Sequence, residues 1–225
     1  MSDDATTTPK RSRDSISNTL IVAIGVSLVC SVLVSSAAIL LQPRQLLNEE
    51  EYRQRIILDV AGLYEPGADI ASLYSSIRET TTELASGEQA PIYLVTDGDS
   101  VEQVILPVEG AGLWAMMYGF LAVETDGNTA RGLQFYDHGE TPGLGDQIDK
   151  PAWREQWQGK KLFGPDGEPR ITIIKGFAPD DSDYEIDGLA GATLTARGVT
   201  NLVQYWIGEQ GYGPYLKTLS DKETE

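Results

Sequence analysis

Residues Leu20 to Leu41 read LIVAIGVSLVCSVLVSSAAILL, 22 consecutive positions without a charge. As a helix rising ~1.5 Å per residue they span roughly 33 Å, enough to cross a hydrocarbon core. The run therefore reads as a membrane anchor or a cleaved leader. Ser35 and Ala37 fit the small-residue pattern of a cleavage site. The run is longer than a leader's apolar region of ~7–15 residues, and it continues past that site through Ile39, Leu40 and Leu41. We read it as a retained helix over 19–41. Val29 before Cys30 argues against a lipoprotein. Charge does not set the orientation: Lys10, Arg11 and Arg13 flank one end, Arg44, Arg53 and Arg55 the other.

The rest of the chain is acidic. Its 225 residues carry a formal charge of −17, and because three basic and three acidic residues balance within 1–41, all of it falls on 42–225. A surface of that sign repels phosphate backbones and excludes nucleic-acid binding. With one cysteine (Cys30) and one histidine (His138), the chain can form no internal disulfide and no multi-Cys or multi-His metal site.

Beyond the anchor, Ile56, Ile57, Val60 and Leu63 recur at helical spacing, with Pro66-Gly67 as a stop. The pattern predicts a second helix over 69–84, with Ile70, Leu73, Tyr74 and Ile77 on one face, and a loop at Ser86-Gly87. From Pro91 it turns to strands: 92–96, 101–108, 115–125 and 130–136, the last two joined by an Asp126-Gly127 hairpin. A loop over 139–145, a short helix over 151–158 opened by Pro151, a buried strand over 171–177 and a final helix over 193–207 complete the reading. The expected class is α+β, an antiparallel sheet with flanking helices. The divisions are a tail (1–18), the anchor (19–41), a membrane-proximal helical region (42–90) and the sheet domain (91–225).

Two glycine-rich stretches bear on chemistry. Gly110-x-Gly112 precedes a strand rather than a helix, so it is a turn and not a dinucleotide fingerprint. Asp187-Gly188-Leu189-Ala190-Gly191-Ala192-Thr193-Leu194-Thr195 runs into the last helix. On its own it allows an ordinary cap at Thr193. It is also where a phosphate would sit well on unpaired first-turn N–H groups, with small residues admitting a flat cofactor close to the backbone. The neighbouring candidates are as open. His138 is a loop or surface histidine or a proton donor, and Glu140 caps its loop or touches a ligand. Trp114 is core or a ligand wall. Lys175 snorkels or supplies charge, and Asp187 forms an Asx-turn or acts on Thr193.

Asp187-Gly188-x-x-Gly191-Ala192-Thr193 resembles the flavinylation motif of FMN-binding domains in the sodium-translocating NADH:quinone oxidoreductase and the related Rnf electron-transport complex. His138-Gly-Glu140-Thr141-Pro142-Gly143-Leu144-Gly145 resembles that family's flavin-side loop. Gly110-x-Gly112-Leu113-Trp114 with Tyr118-Gly119, and Trp157-x-Gly159-Lys160, resemble its other characteristic segments. Together with the anchor the resemblance covers nearly the whole chain. It implies FMN joined to Thr193 by a phosphoester, made by a separate flavin transferase that uses FAD and releases AMP. It further implies cofactor contacts from Trp114, Glu140, Thr141, Gly143, Leu144, Gly145, Lys175, Asp187, Gly191, Ala192, Leu194 and Thr195. The implied role is an electron-carrying subunit of a bacterial inner-membrane complex that oxidises NADH, reduces quinone and exports sodium. The NADH and quinone sites would lie on other subunits, and the domain in the periplasm. The family carries Ser or Thr where this chain has Ala190. The FMN-bearing component of an Rnf-type complex, a stand-alone exported flavoprotein and a cofactor-free assembly module stand as alternatives.

Overall fold

The computed structural model describes residues 16–98 and 100–223; Lys10, Arg11 and Arg13 lie outside them. Contacts divide the chain into two units, Met1–Glu50 and Glu51–Glu225. Helix α1, Ile16–Val60, runs through the apolar stretch and past Pro43 without a break. It is long and apolar enough to cross a membrane, and residues 16–50 are all exposed. The helix stops at Val60, ahead of the expected Pro66-Gly67, because Gly62 turns the chain at φ +74°.

In the second unit, α2 (Ile70–Tyr74) leads into a five-stranded antiparallel meander in sequence order. Its strands are β1 (Ile77–Glu83), β2 (Gln89–Asp97), β3 (Ser100–Ala111), β4 (Met116–Glu124) and β5 (Ala130–Asp137). The helix expected over 69–84 is therefore corrected: only its first part is helical, and Ile77 starts an edge strand. The sheet begins inside the region read as helical, before residue 91. Thr80, Thr81 and Thr82 supply the β-branching that favours a strand there. The hairpin at Asp126-Gly127 forms as read, with Gly127 at φ +68°.

Both faces of the sheet are buried, which is why β2–β4 read as continuous apolar runs. Successive side chains on a strand point to opposite faces. Accordingly Tyr93, Val95, Ile105 and Phe120 pack with Ile56, Ile57, Leu58 and α2 on one side. Ile92, Leu94, Val104, Leu106 and Leu121 join the other core. That second core holds α4 (Thr193–Ile207), whose Val199, Leu202, Val203 and Ile207 are buried. Gly198 lets α4 approach β3 closely, since a Cβ there would sit 2.7 Å from the Ala111 carbonyl. Trp206 is only partly buried, and its indole N–H donates to the Glu109 carbonyl at 2.7 Å.

After β5 come a 3-10 turn (Gly145–Asp149), α3 (Pro151–Arg154) and a further 3-10 turn (Glu155–Trp157). The strand expected over 171–177 shrinks to β6, Thr172–Ile173, paired in parallel with β7, Glu185–Ile186. Beyond it the chain is loop, and Phe177 is 89% exposed. Helix α4 is not the last: Gly208 ends it and α5 (Gly213–Glu223) follows.

Candidate functional site

The site is built where β7 runs into α4. Gln156 holds Asp187 by two bonds, its carbonyl accepting the Asp187 N–H at 2.9 Å and its amide donating to Oδ2 at 3.1 Å. Asp187 Oδ1 accepts the Ala178 N–H at 2.7 Å, and the Asp187 carbonyl accepts the Trp153 indole N–H at 3.0 Å. The carboxylate thus fastens the 174–178 loop to the motif and makes no Asx-turn. Gly188 donates to the Gly176 carbonyl at 2.7 Å, and a Cβ on it would collide with the Ile174 carbonyl. Gly191, at φ +75°, completes a tight turn closed by the Ala192 N–H to the Leu189 carbonyl at 3.1 Å.

This turn delivers Ala192, not Thr193, to the N-cap position of α4, and no side chain caps the helix. Alanine is a poor cap, and the first-turn N–H groups and the positive end of the helix dipole are left for an anion. Thr193 is the first helical residue and is exposed. The ordinary-cap reading of Thr193 loses its footing.

Thr193 borders an open cavity of about 860 Å³. The motif forms one wall, residues 172–177 another, and Gln147, Lys150, Trp153 and Gln156 a third. Arg197 and Thr200 complete it from α4, and with Thr193 they make a single helical face at i, i+4 and i+7. Lys150, Lys175 and Arg197 bring three positive charges to a strongly acidic chain. No ion pair among the described residues engages any of them. The volume matches sites for ligands of cofactor size.

Of the residues expected from the sequence, Thr193, Lys175, Asp187 and Gly191 line this cavity. Trp114, Glu140, Thr141, Gly143, Leu144, Gly145, Ala192, Leu194 and Thr195 do not. Ala192, Leu194 and Thr195 flank Thr193 along the chain, and the 138–145 loop meets the motif at Gly191. Leu144 lies so close to Gly191 that a Cβ there would come within 2.9 Å of its side chain. The Trp114 indole N–H donates to Thr141 Oγ1 at 3.1 Å. Glu140 is 6% exposed, its Oε1 accepting the Leu113 N–H at 2.7 Å and its Oε2 the Thr195 hydroxyl. His138 fastens the same loop, with Nε2 2.7 Å from Asp149 and Nδ1 accepting the Glu140 N–H at 3.2 Å. Trp114 is 71%, Leu194 55% and Leu144 43% exposed, so none of the three belongs to the core. Sequence reading missed Gln147, Lys150, Trp153, Gln156, Arg197 and Thr200. Arg197 and Thr200 were within its reach through their helical spacing from Thr193.

The residues present suit FMN: an uncapped helix end and three cations for the phosphate, beside an open cavity large enough for a flat ring system. Comparison with known proteins agrees. A family described as FMN-binding domain matches residues 112–208. The NqrC component of the Na(+)-translocating NADH-quinone reductase from Yersinia pestis is 41% identical, over 94% of this chain and 96% of that protein. Its counterpart in Vibrio parahaemolyticus is 40% identical, over 92% and 97%. Among solved structures, Shewanella oneidensis NqrC superposes with a TM-score of 0.70 at 27% identity, covering 78% of this chain and 99% of that one. The corresponding Parabacteroides distasonis protein gives 0.66 at 26% identity, covering 78% and 96%. The chain therefore belongs to the NqrC family, the FMN-binding-domain components of the Na(+)-translocating NADH-quinone reductase, an oxidoreductase complex.

Proposed function

We propose that this chain carries FMN covalently, through a phosphoester to Thr193 Oγ1, and serves as an electron-carrying subunit of a sodium-exporting complex that oxidises NADH and reduces quinone. The observation that carries the reading is the pairing of an exposed Thr193 hydroxyl with an uncapped helix end beside a cavity rimmed by cations. The flavin, when bound, supplies one- and two-electron transfer. The chain's own residues hold and tune it. Lys150, Lys175 and Arg197 offer charge to its phosphate and to its reduced form. The N–H groups at the start of α4 offer donors. Asp187 and Gln156 fix the loop that presents the threonine.

Asp187, the carboxylate of the motif, is bonded to Ala178 and Gln156 and serves to hold the loop. We assign attachment to a separate flavin transferase: the Thr193 hydroxyl displaces AMP from FAD, and its proton leaves with the transferase's base. We place the anchor at 19–41 in a bacterial inner membrane, with the tail cytoplasmic, the domain periplasmic and the NADH and quinone sites on other subunits. The intact mass of the chain co-expressed with the transferase tests the core of this. A gain of one FMN less one water is expected, and it should be absent in Thr193→Ala. An unmodified wild-type chain under those conditions rejects the reading.

A further inference from the structure

Three of the four stretches that carry the family resemblance are far apart in sequence, yet they meet at one carboxylate. Glu140, from the 138–145 loop, accepts the Leu113 N–H of the β3–β4 turn on Oε1 and the Thr195 hydroxyl of α4 on Oε2. Thr195 is fully buried. Two glycines make the space: a Cβ at Gly112 would overlap Glu140 Oε1, and one at Gly145 would lie 2.7 Å from Oε2 and 2.9 Å from Thr195 Oγ1. His138 completes the frame by accepting the Glu140 N–H. Glu140 does not line the cavity.

We propose that Glu140 is a positioning residue that holds the first turn of α4 in place through Thr195, and thereby aims Thr193 at the cavity. Two residues along a helix lie about 200° apart around it. Thr195 pointing into the interior therefore obliges Thr193 to point out of it, on the face shared with Arg197 and Thr200. The buried stripe of Val199, Leu202, Val203 and Ile207 and the Ile173 N–H to Thr200 Oγ1 bond at 3.0 Å hold the body of α4, but its first turn lacks a capping bond from Ala192 and has Thr195 as its buried polar tie. The buried bond from Thr195 to a carboxylate is of the stronger, charge-assisted kind. Glycine at 112 and 145 then follows from the volume of the carboxylate rather than from contact with a cofactor.

The proposal rests on Thr193 as the flavin acceptor, and its test separates the two claims. The full chain, purified in detergent, is compared as wild type, Thr195→Val and Thr195→Ser, with transferase and FAD. Thr195→Val keeps the shape and removes the hydroxyl. It should take up flavin about tenfold more slowly, the scale of one lost charge-assisted hydrogen bond, and show an altered visible circular dichroism from the flavin. Thr195→Ser should restore both. A folded Thr195→Val with wild-type rate and spectrum overturns the proposal. Hydrogen exchange on the flavin-free chain decides without the cofactor: amides of Ala196–Val199 should lose protection in Thr195→Val and regain it in Thr195→Ser, and unchanged protection overturns the proposal. A wild type that accepts no flavin rejects Thr193 as acceptor and leaves that exchange result to decide. Should Thr195→Val not fold, Glu140→Gln, which keeps shape but loses charge, should slow uptake about threefold. Wild-type uptake in that variant also overturns the proposal.

Discussion

Gln156 grips Asp187 at both its backbone N–H and its carboxylate, at 2.9 and 3.1 Å, so that a side chain beyond α3 holds the first residue of the flavin-site loop. Gln156→Ala removes both bonds and leaves half-buried polar groups unpaired. The cost should be about 1–3 kcal/mol. For a domain of this size that corresponds to a fall in Tm of about 3–9 °C. Flavin attachment should slow in the same variant, because the loop it steadies presents Thr193. Thermal melts and intact-mass time courses check both. An unchanged melt together with unchanged uptake would show the grip to be idle.

Ala190 is where this chain departs from the flavinylation motif it resembles. Its side chain is exposed, and only its carbonyl is engaged, accepting from Gln147 at 3.3 Å. A hydroxyl at this position has no work to do inside the fold. Ala190→Ser should shift stability by no more than about 0.5 kcal/mol. Wild type should already be flavinylated to completion, the serine variant at least as quickly. A wild type that stays unmodified while Ala190→Ser is modified would make the hydroxyl a requirement of the transferase.

How far the sequence reveals this depends on whether a residue's surroundings are local. Helix α4 was readable to the residue because its buried stripe repeats at helical spacing and Gly208 stops it. The central strands were readable from their apolar runs. β1 was not, since only Ile77 of its seven residues is buried, and that residue also fits the helical spacing of α2. Residues 174–177 look like a strand by composition, but they wall an open cavity, and their bonds to the chain after β7, Ile174 N–H to Ile186 and Gly188 N–H to Gly176, end at the turn that presents Thr193. The motif loop named Thr193, Asp187 and Gly191. Gln147, Lys150 and Gln156 reach the site only because α3 and its flanking turns fold back over β6 and β7, a tertiary fact without a local signature. The 138–145 loop was found by motif. Its task as a latch on Thr195 became visible only with Leu113 and Thr195 in place.

Lys175 stands exposed on the cavity rim with no ion-pair partner among the described residues. Positive charge beside the flavin favours its reduced, more negative form. Lys175→Ala should leave the flavin attached and make it harder to reduce. At an effective dielectric constant of ~20–40 and a separation of ~7 Å, one charge is worth about 1–2 kcal/mol, on the order of tens of millivolts. Redox titration of the flavinylated chain at low ionic strength measures it. A potential equal to wild type would take Lys175 out of the flavin's surroundings.

Asp126 shapes the β4–β5 hairpin, and its effect on stability should depend on pH in a defined direction. Burial opposes its charge, but the Thr129 hydroxyl, the Asn128 and Thr129 N–H groups and Lys161 more than offset this, so its pKa falls below 3.8. Oδ1 accepts the two N–H groups at 2.9 and 2.7 Å, and Lys161 lies 3.3 Å from Oδ2. The turn also seats α5: a Cβ at Gly127 would collide with the Leu216 carbonyl. A carboxyl whose pKa is depressed on folding stabilises the fold above its unfolded value, and that contribution disappears as pH falls through the folded value. Asp126→Asn should therefore be less stable than wild type at neutral pH, and the gap should narrow once the pH drops below about 4. Repulsion among the many other carboxylates also fades in acid, but both proteins share it, so it cancels in the difference. Urea melts of the pair from pH 7 down to the acid limit follow that difference, and one that stays constant over the range would mean the hydrogen bonds at Asp126 do not favour its ionised form.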